Sequence, residues 1–189
     1  MEAFLTSTAV VTLAEIGDKT QLLAIVLATR FKRPLPIILG ILAATLANHF
    51  LAALVGHSVA SVLDGTWFRY AIAVSFIAMA VWTLIPDQLD EDEEKPARFG
   101  AFVTTLIAFF LVEMGDKTQV ATVALGAQFA NLFLVTAGTT CGMMLANVPA
   151  VFLGSELIKR VPLNVVRTLA ALLFLVIGLW LLITTAGWF

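Results

Sequence analysis

Residues 14–21 read AEIGDKTQ and residues 112–119 read VEMGDKTQ. Each string sets a Glu, an Asp and a Lys into a run that is otherwise apolar. How these charges are accommodated decides the fold. The chain has 189 residues, of which 60% are hydrophobic and only 13% charged, and its mean hydropathy is +0.99. Soluble domains run to about a quarter charged residues. The composition therefore specifies an integral membrane protein. Its apolar runs are long and do not alternate, which points to helices rather than a barrel.

Six runs are long enough to cross a bilayer, at about 3–28, 35–62, 67–85, 100–126, 131–154 and 164–186. The first has Glu2 and no Lys or Arg at its amino end and is too long for a signal h-region, so it reads as a permanent span. The breaks between runs carry Pro and Gly, as turns do. Arg30, Lys32, Arg33, Lys95, Arg98, Lys159, Arg160 and Arg167 fall at the first, third and fifth connections, against Arg69 alone at the second. By the positive-inside rule, both termini then face away from the cytoplasm. The acidic run DQLDEDEE becomes part of a cytoplasmic loop, read as a solvated linker. Cys141 stands alone, which rules out an internal disulfide.

A shift of 98 superimposes the two halves. Six of the seven positions from 15 to 21 recur at 113–119, and Gly40, Gly56, Arg69 and Trp82 meet Gly138, Gly154, Arg167 and Trp180. Leu-Ala-Asn at 46–48 matches 145–147 after a slip of one. The expected organisation is a three-helix repeat over 1–86, the acidic loop over 87–98, and a second three-helix repeat over 99–189. Three spans per half is an odd number, so the second half enters the membrane from the opposite face. This is the inverted repeat of secondary transporters, with substrate bound near the midplane.

On one continuous helix, Glu15 and Asp18 share a face with Lys19 one turn from Glu15, and Glu113, Asp116 and Lys117 repeat the pattern. Six such charges facing lipid would cost roughly 15 kcal/mol at ~2.5–3.5 kcal/mol each. They must face one another or water. Inverted halves bring the four carboxylates Glu15, Asp18, Glu113 and Asp116 together near the membrane centre, with Lys19 and Lys117 balancing part of the charge. The remaining charge matches one divalent cation of the hard, oxygen-seeking kind, Ca²⁺ or Mn²⁺. Gln21, Gln119, Thr20, Thr118, Asn48 and Asn147 are candidate neutral oxygen donors. Gly17 and Gly115 are expected to admit a close helix neighbour, or to let the helix unwind and offer carbonyls. Carboxylates this close repel, so without metal the site holds one or more protons, which metal displaces. Cation/proton exchange is the cycle that follows.

Other features carry less. His49 has no counterpart, because Val148 stands at the aligned place. Gly138 and Gly142 read as a close helix contact. GDKT lacks the Gly-Lys pair and the setting of a phosphate loop, and no hydrolase or dinucleotide signature appears, so an enzyme is not expected. Nor is a resident cofactor or a nucleic-acid partner; the partners are membrane lipid, metal and protons.

At these residues the chain resembles the Gdt-type cation exchangers, whose signature E-x-G-D-(K/R)-(S/T) is met by Glu15–Thr20 and Glu113–Thr118. The resemblance covers the whole length and includes Golgi Mn²⁺/Ca²⁺ transporters and bacterial manganese exporters of the Mne type. It implies that Glu15, Asp18, Glu113 and Asp116 bind the transported divalent ion and that protons are the counter-ion. The reading is a Mn²⁺/H⁺ antiporter of a bacterial inner membrane; the rivals are a Ca²⁺/H⁺ antiporter, a passive cation channel and a small-solute exporter. Oligomeric state is not legible in the sequence.

Overall fold

The computed structural model describes residues 1–63, 65–85, 99–154 and 162–187. The acidic run and the cations Lys95, Arg98, Lys159 and Arg160 lie outside the described residues. Eight helices make up the described chain, with no strand among the described residues. They are α1 (Glu2–Glu15), α2 (Lys19–Phe31), α3 (Pro34–Val62), α4 (Thr66–Thr83), α5 (Ala101–Glu113), α6 (Lys117–Phe129), α7 (Leu132–Leu153) and α8 (Leu163–Thr185).

Four of these, α3, α4, α7 and α8, are long and apolar enough to cross a membrane alone. Their bounds follow the apolar runs to within about two residues. The first and fourth runs behave differently. Each is divided into two short helices, α1 with α2 and α5 with α6, so the expectation of one continuous helix through each charged string is corrected. The break falls at Gly17 and Gly115, whose φ values of +83° and +78° lie in the left-handed region. Glycine enters that region without a Cβ penalty, and a helix cannot continue through it. Asp18 and Asp116 then become the N-caps of α2 and α6, and Glu15 and Glu113 the last residues of α1 and α5. The face shared by Glu15 and Asp18 on a single helix therefore does not exist.

Packing pairs elements across the two halves. The most extensive contacts are α1 with α7, α4 with α8, α3 with α6 and α3 with α5. Small residues allow the close approaches. A Cβ on Gly138 would lie 2.9 Å from Ser7 Cβ, and one on Gly142 2.7 Å from the Thr8 carbonyl oxygen, so the expected contact at these glycines is made with α1. Thr8 and Thr12 tie the same seam by donating to the carbonyls of Gly138 and Gly142 at 3.1 and 3.4 Å. Gly40 lies equally close to Thr105 of α5. Two apolar clusters result. One joins Val10, Phe76, Leu125, Val135 and Phe174. The other joins Leu23, Ile37, Ile41, Phe109 and Val151. Both breaks lie where the chain passes between them, α1 and α6 contributing to the first cluster and α2 and α5 to the second.

Candidate cation site

The breaks bring ten polar side chains into the interior. Glu15, Asp18, Thr20, Gln21, Asn48, Glu113, Asp116, Lys117, Thr118 and Asn147 are all buried, none more than 4% exposed. Burial of this kind is tolerated only when the groups are paired or bridged. Much of the pairing is visible. Gln21 and Gln119 play the same local part: each side-chain oxygen accepts from the backbone N–H of its glycine, Gly17 at 2.9 Å and Gly115 at 2.7 Å, so the amides brace the turns from within. Gln119 also donates to Asn48 Oδ1 at 3.0 Å, and Asn48 in turn donates to the Phe110 carbonyl of α5 at 3.0 Å. Gln21 donates to the Ala146 carbonyl of α7 at 2.9 Å.

Glu15, Glu113 and Asp116 are similarly engaged. Thr118 donates to Glu113 Oε1 and lies 3.4 Å from Asp116 Oδ2. Asn147 donates to Glu15 Oε1 at 3.5 Å. The two breaks lie against each other, since Lys19, the neighbour of Asp18, contacts Asp116 of the other half. No group of three or more His, Cys, Asp or Glu side chains is gathered as a ready metal cage among the described residues. Lys19 reaches across to the other half, its Nζ 3.3 Å from Asp116 Oδ1. Lys117 donates to the carbonyl of Ile85, just beyond α4, at 3.0 Å. His49 is fully buried in α3.

Helix ends add to this electrostatics. The carbonyls at the end of a helix carry partial negative charge and its first N–H groups partial positive charge. The C-termini of α1 and α5 thus present a field that suits a cation, with Glu15 and Glu113 on the same ends. Asp18 and Asp116 sit at helix N-termini, where a negative charge is held favourably. The arrangement is the discontinuous-helix architecture that ion-coupled transporters use at their binding sites.

Gly17 and Gly115, expected either to admit a close helix neighbour or to let the helix unwind, stand in the breaks themselves. A Cβ on Gly17 would lie 2.7 Å from Leu163 Cδ2, at the start of α8, whereas one on Gly115 meets nothing within 4 Å among the described residues. Four contributors could not be read from the sequence, namely the carbonyls of Phe110, Ala146 and Ile85 and the Leu163 side chain. A backbone carbonyl has no residue-type signal, and Leu163 looks like any other span-edge leucine.

The family described as divalent cation/proton antiporter GDT1 matches residues 3–91 and 101–188, one stretch in each half. The chain belongs to this family. A Vibrio cholerae protein named "Putative manganese exporter" is 51% identical over 180 residues, covering 95% of this chain and 90% of that one. GDT1-like protein 5 of Arabidopsis thaliana is 27% identical over 222 residues, covering 97% and 96%. GDT1-like protein sll0615 of Synechocystis is 27% identical over 195 residues, covering 92% and 93%. No solved structure matches. The family is one of transporters, so its members move ions rather than catalyse a reaction.

Proposed function

We propose that the protein is a secondary transporter that exports Mn²⁺ from a bacterial cytoplasm in exchange for H⁺. The observation that carries this is the pair of helix breaks, each flanked by a buried Glu and Asp, meeting in one interior region. In this reading Glu15, Asp18, Glu113 and Asp116 hold the metal. Gln21, Gln119, Thr20, Thr118, Asn48 and Asn147 supply or orient neutral oxygens, and Lys19 and Lys117 balance charge. Their all-oxygen chemistry suits hard ions, and similarity to a protein named as a manganese exporter favours Mn²⁺ over Ca²⁺. There is no resident cofactor; the metal is cargo. Protons compete with it for the same oxygens, which couples the two flows.

Each broken pair, α1–α2 and α5–α6, counts as one crossing. With α3, α4, α7 and α8 this makes six, three per half, with the second half inverted and both termini outside the cytoplasm. The domain division at 87–98 follows. Support comes from the packing, in which α1 lies on α7 as α5 lies on α3, and from the cations Arg30, Lys32 and Arg33 at the α2–α3 turn.

Proteoliposomes carrying a pH dye test the reading. Adding Mn²⁺ is expected to move protons in the opposite direction, with Ca²⁺ weaker and Mg²⁺ weakest. Asp116→Asn is expected to reduce the flux by more than about a hundredfold, beyond the 10–100-fold typical of groups that only support a ligand. Undiminished transport by that variant defeats the ligand assignment. Metal flux with no proton movement makes the protein a channel.

A further inference from the structure

The two places where a short helix leans on a long one ahead of its break are built alike. A Cβ on Gly138 of α7 would lie 2.5 Å from the Phe4 carbonyl oxygen and 2.9 Å from Ser7 Cβ of α1. One on Gly40 of α3 would lie 2.8 Å from both the Phe102 carbonyl oxygen and Thr105 Cβ of α5. The shift of 98 relates every member of one crossing to the same member of the other. Each short helix then runs inward to the glutamate that ends it, Glu15 or Glu113. From Ser7 to Glu15 this is about 12 Å of helix.

Their linings differ. Ser7, Thr8 and Thr12 share a face of α1 with Glu15, and Thr136, Thr139 and Thr140 share a face of α7 with Asn147, which donates to Glu15. The equivalent positions hold Thr105, Leu106, Phe110, Ile38, Ile41 and Leu42, so six hydroxyls face one. Nearer the charges the balance turns once, Thr45 standing where α7 has Met143. Three of the six, Thr8, Thr12 and Thr139, donate to carbonyls one turn back, as hydroxyls in helices commonly do. The other three behave differently. The Oγ atoms of Ser7, Thr136 and Thr140 have no hydrogen-bond partner among the described residues, although these side chains are only 0%, 5% and 6% exposed. A hydroxyl kept in this way costs free energy. Packing alone would be served as well by Ala or Val.

We propose that α1 and α7 line the path by which the divalent cation passes between the carboxylates and the membrane face where α1 begins, and that the apolar α3–α5 pair is a dry barrier. The inference rests on the four carboxylates being the cargo site. A hard cation exchanges its water shell most readily against oxygen atoms, and the hydroxyls supply these along the approach to Glu15. Apolar walls at the same separation expel water and exclude ions. The proposed topology places the hydroxyl-lined outlet outside the cytoplasm, as export requires. Entry from the opposite face then passes elsewhere than between α3 and α5. The halves share the site but not the route.

The test uses single cysteines in the full chain in proteoliposomes, after Cys141→Ser removes the native thiol. A small, cationic, thiol-specific reagent is added during Mn²⁺ transport. Ser7→Cys, Thr136→Cys and Thr140→Cys are expected to be modified about tenfold faster or more than Thr105→Cys and Ile41→Cys, because access controls thiol reactivity. A second arm keeps shape and removes hydroxyls. The double variant Thr136→Val with Thr140→Val is expected to slow Mn²⁺ flux about tenfold, with Mn²⁺ affinity by calorimetry within about twofold of the unaltered protein. Ser at both positions is expected to keep most of the flux. Equal modification of the two sets overturns the proposal, as does full flux in the Val variant. If that variant cannot be purified, the modification rates decide. Failure of the cargo-site reading looks different: Asp116→Asn transports undiminished, whatever the pattern of modification.

Discussion

The segments 15–21 and 113–119 differ at one residue, Ile16 against Met114, yet occupy different surroundings. In the first, Gly17 is buried under Leu163, Glu15 is met by Asn147, and Gln21 turns to a backbone carbonyl. In the second, Gly115 is exposed, Glu113 is met by Thr118, and Gln119 turns to Asn48. The backbone is the same in both: a break at a left-handed glycine, a Gln brace on that glycine, and an Asp capping the next helix. Local sequence therefore dictates the break and its charges, while the packing of other helices against it decides which partner each charge meets.

Three changes would break or sharpen this comparison. The largest effect is expected from Glu15→Gln and Glu113→Gln, each lowering Mn²⁺-driven proton flux by more than about a hundredfold, because ligand loss exceeds the 10–100-fold typical of supporting groups. If only one of them mattered, the halves would not be functional equivalents. Next come the glycines. Gly17→Ala and Gly115→Ala each force a Cβ into a left-handed turn at about 1–2 kcal/mol, read as a loss of thermal stability in detergent. Gly17→Ala should cost about 1 kcal/mol more, from the overlap with Leu163. Adding Leu163→Ala should remove that excess at position 17 and leave the cost at position 115 unchanged. The smallest difference is expected at the threonines. Thr118→Val removes a hydrogen bond to Glu113 and should weaken Mn²⁺ binding about tenfold, as loss of a ligand's supporting partner does. Thr20→Val should change binding less, since its hydroxyl has no hydrogen-bond partner among the described residues. Binding measured by calorimetry on the two variants decides it.

Helices α3, α4, α7 and α8 were legible in the sequence because a long uninterrupted apolar run has one stable solution in a bilayer. The breaks were legible only as a possibility. Hydropathy averages over a window wider than a turn, so Gly17 and Gly115 vanish into the runs that contain them. The helical-face argument failed at that point. Asn48 and Asn147 were found because the repeat marks them, although it could not show that Asn48 would bind Gln119 while Asn147 would approach Glu15. The reach of Lys19 to Asp116 depends on how the halves are set against each other, which neither half encodes alone.

The seam between α1 and α7 has a consequence for how the molecule is made. Thr8 and Thr12 find their cross-helix acceptors 130 residues further along the chain. When the ribosome delivers the first broken pair to the membrane, the partners that will shelter Glu15 and Gln21 have not yet been translated. Until the carboxy-terminal half arrives, Glu15 and Gln21 lack the partners that Asn147 and Ala146 will supply. Final seating of the first two helices is thus a late step of biogenesis, and neither half severed from the other is expected to bury its own charges.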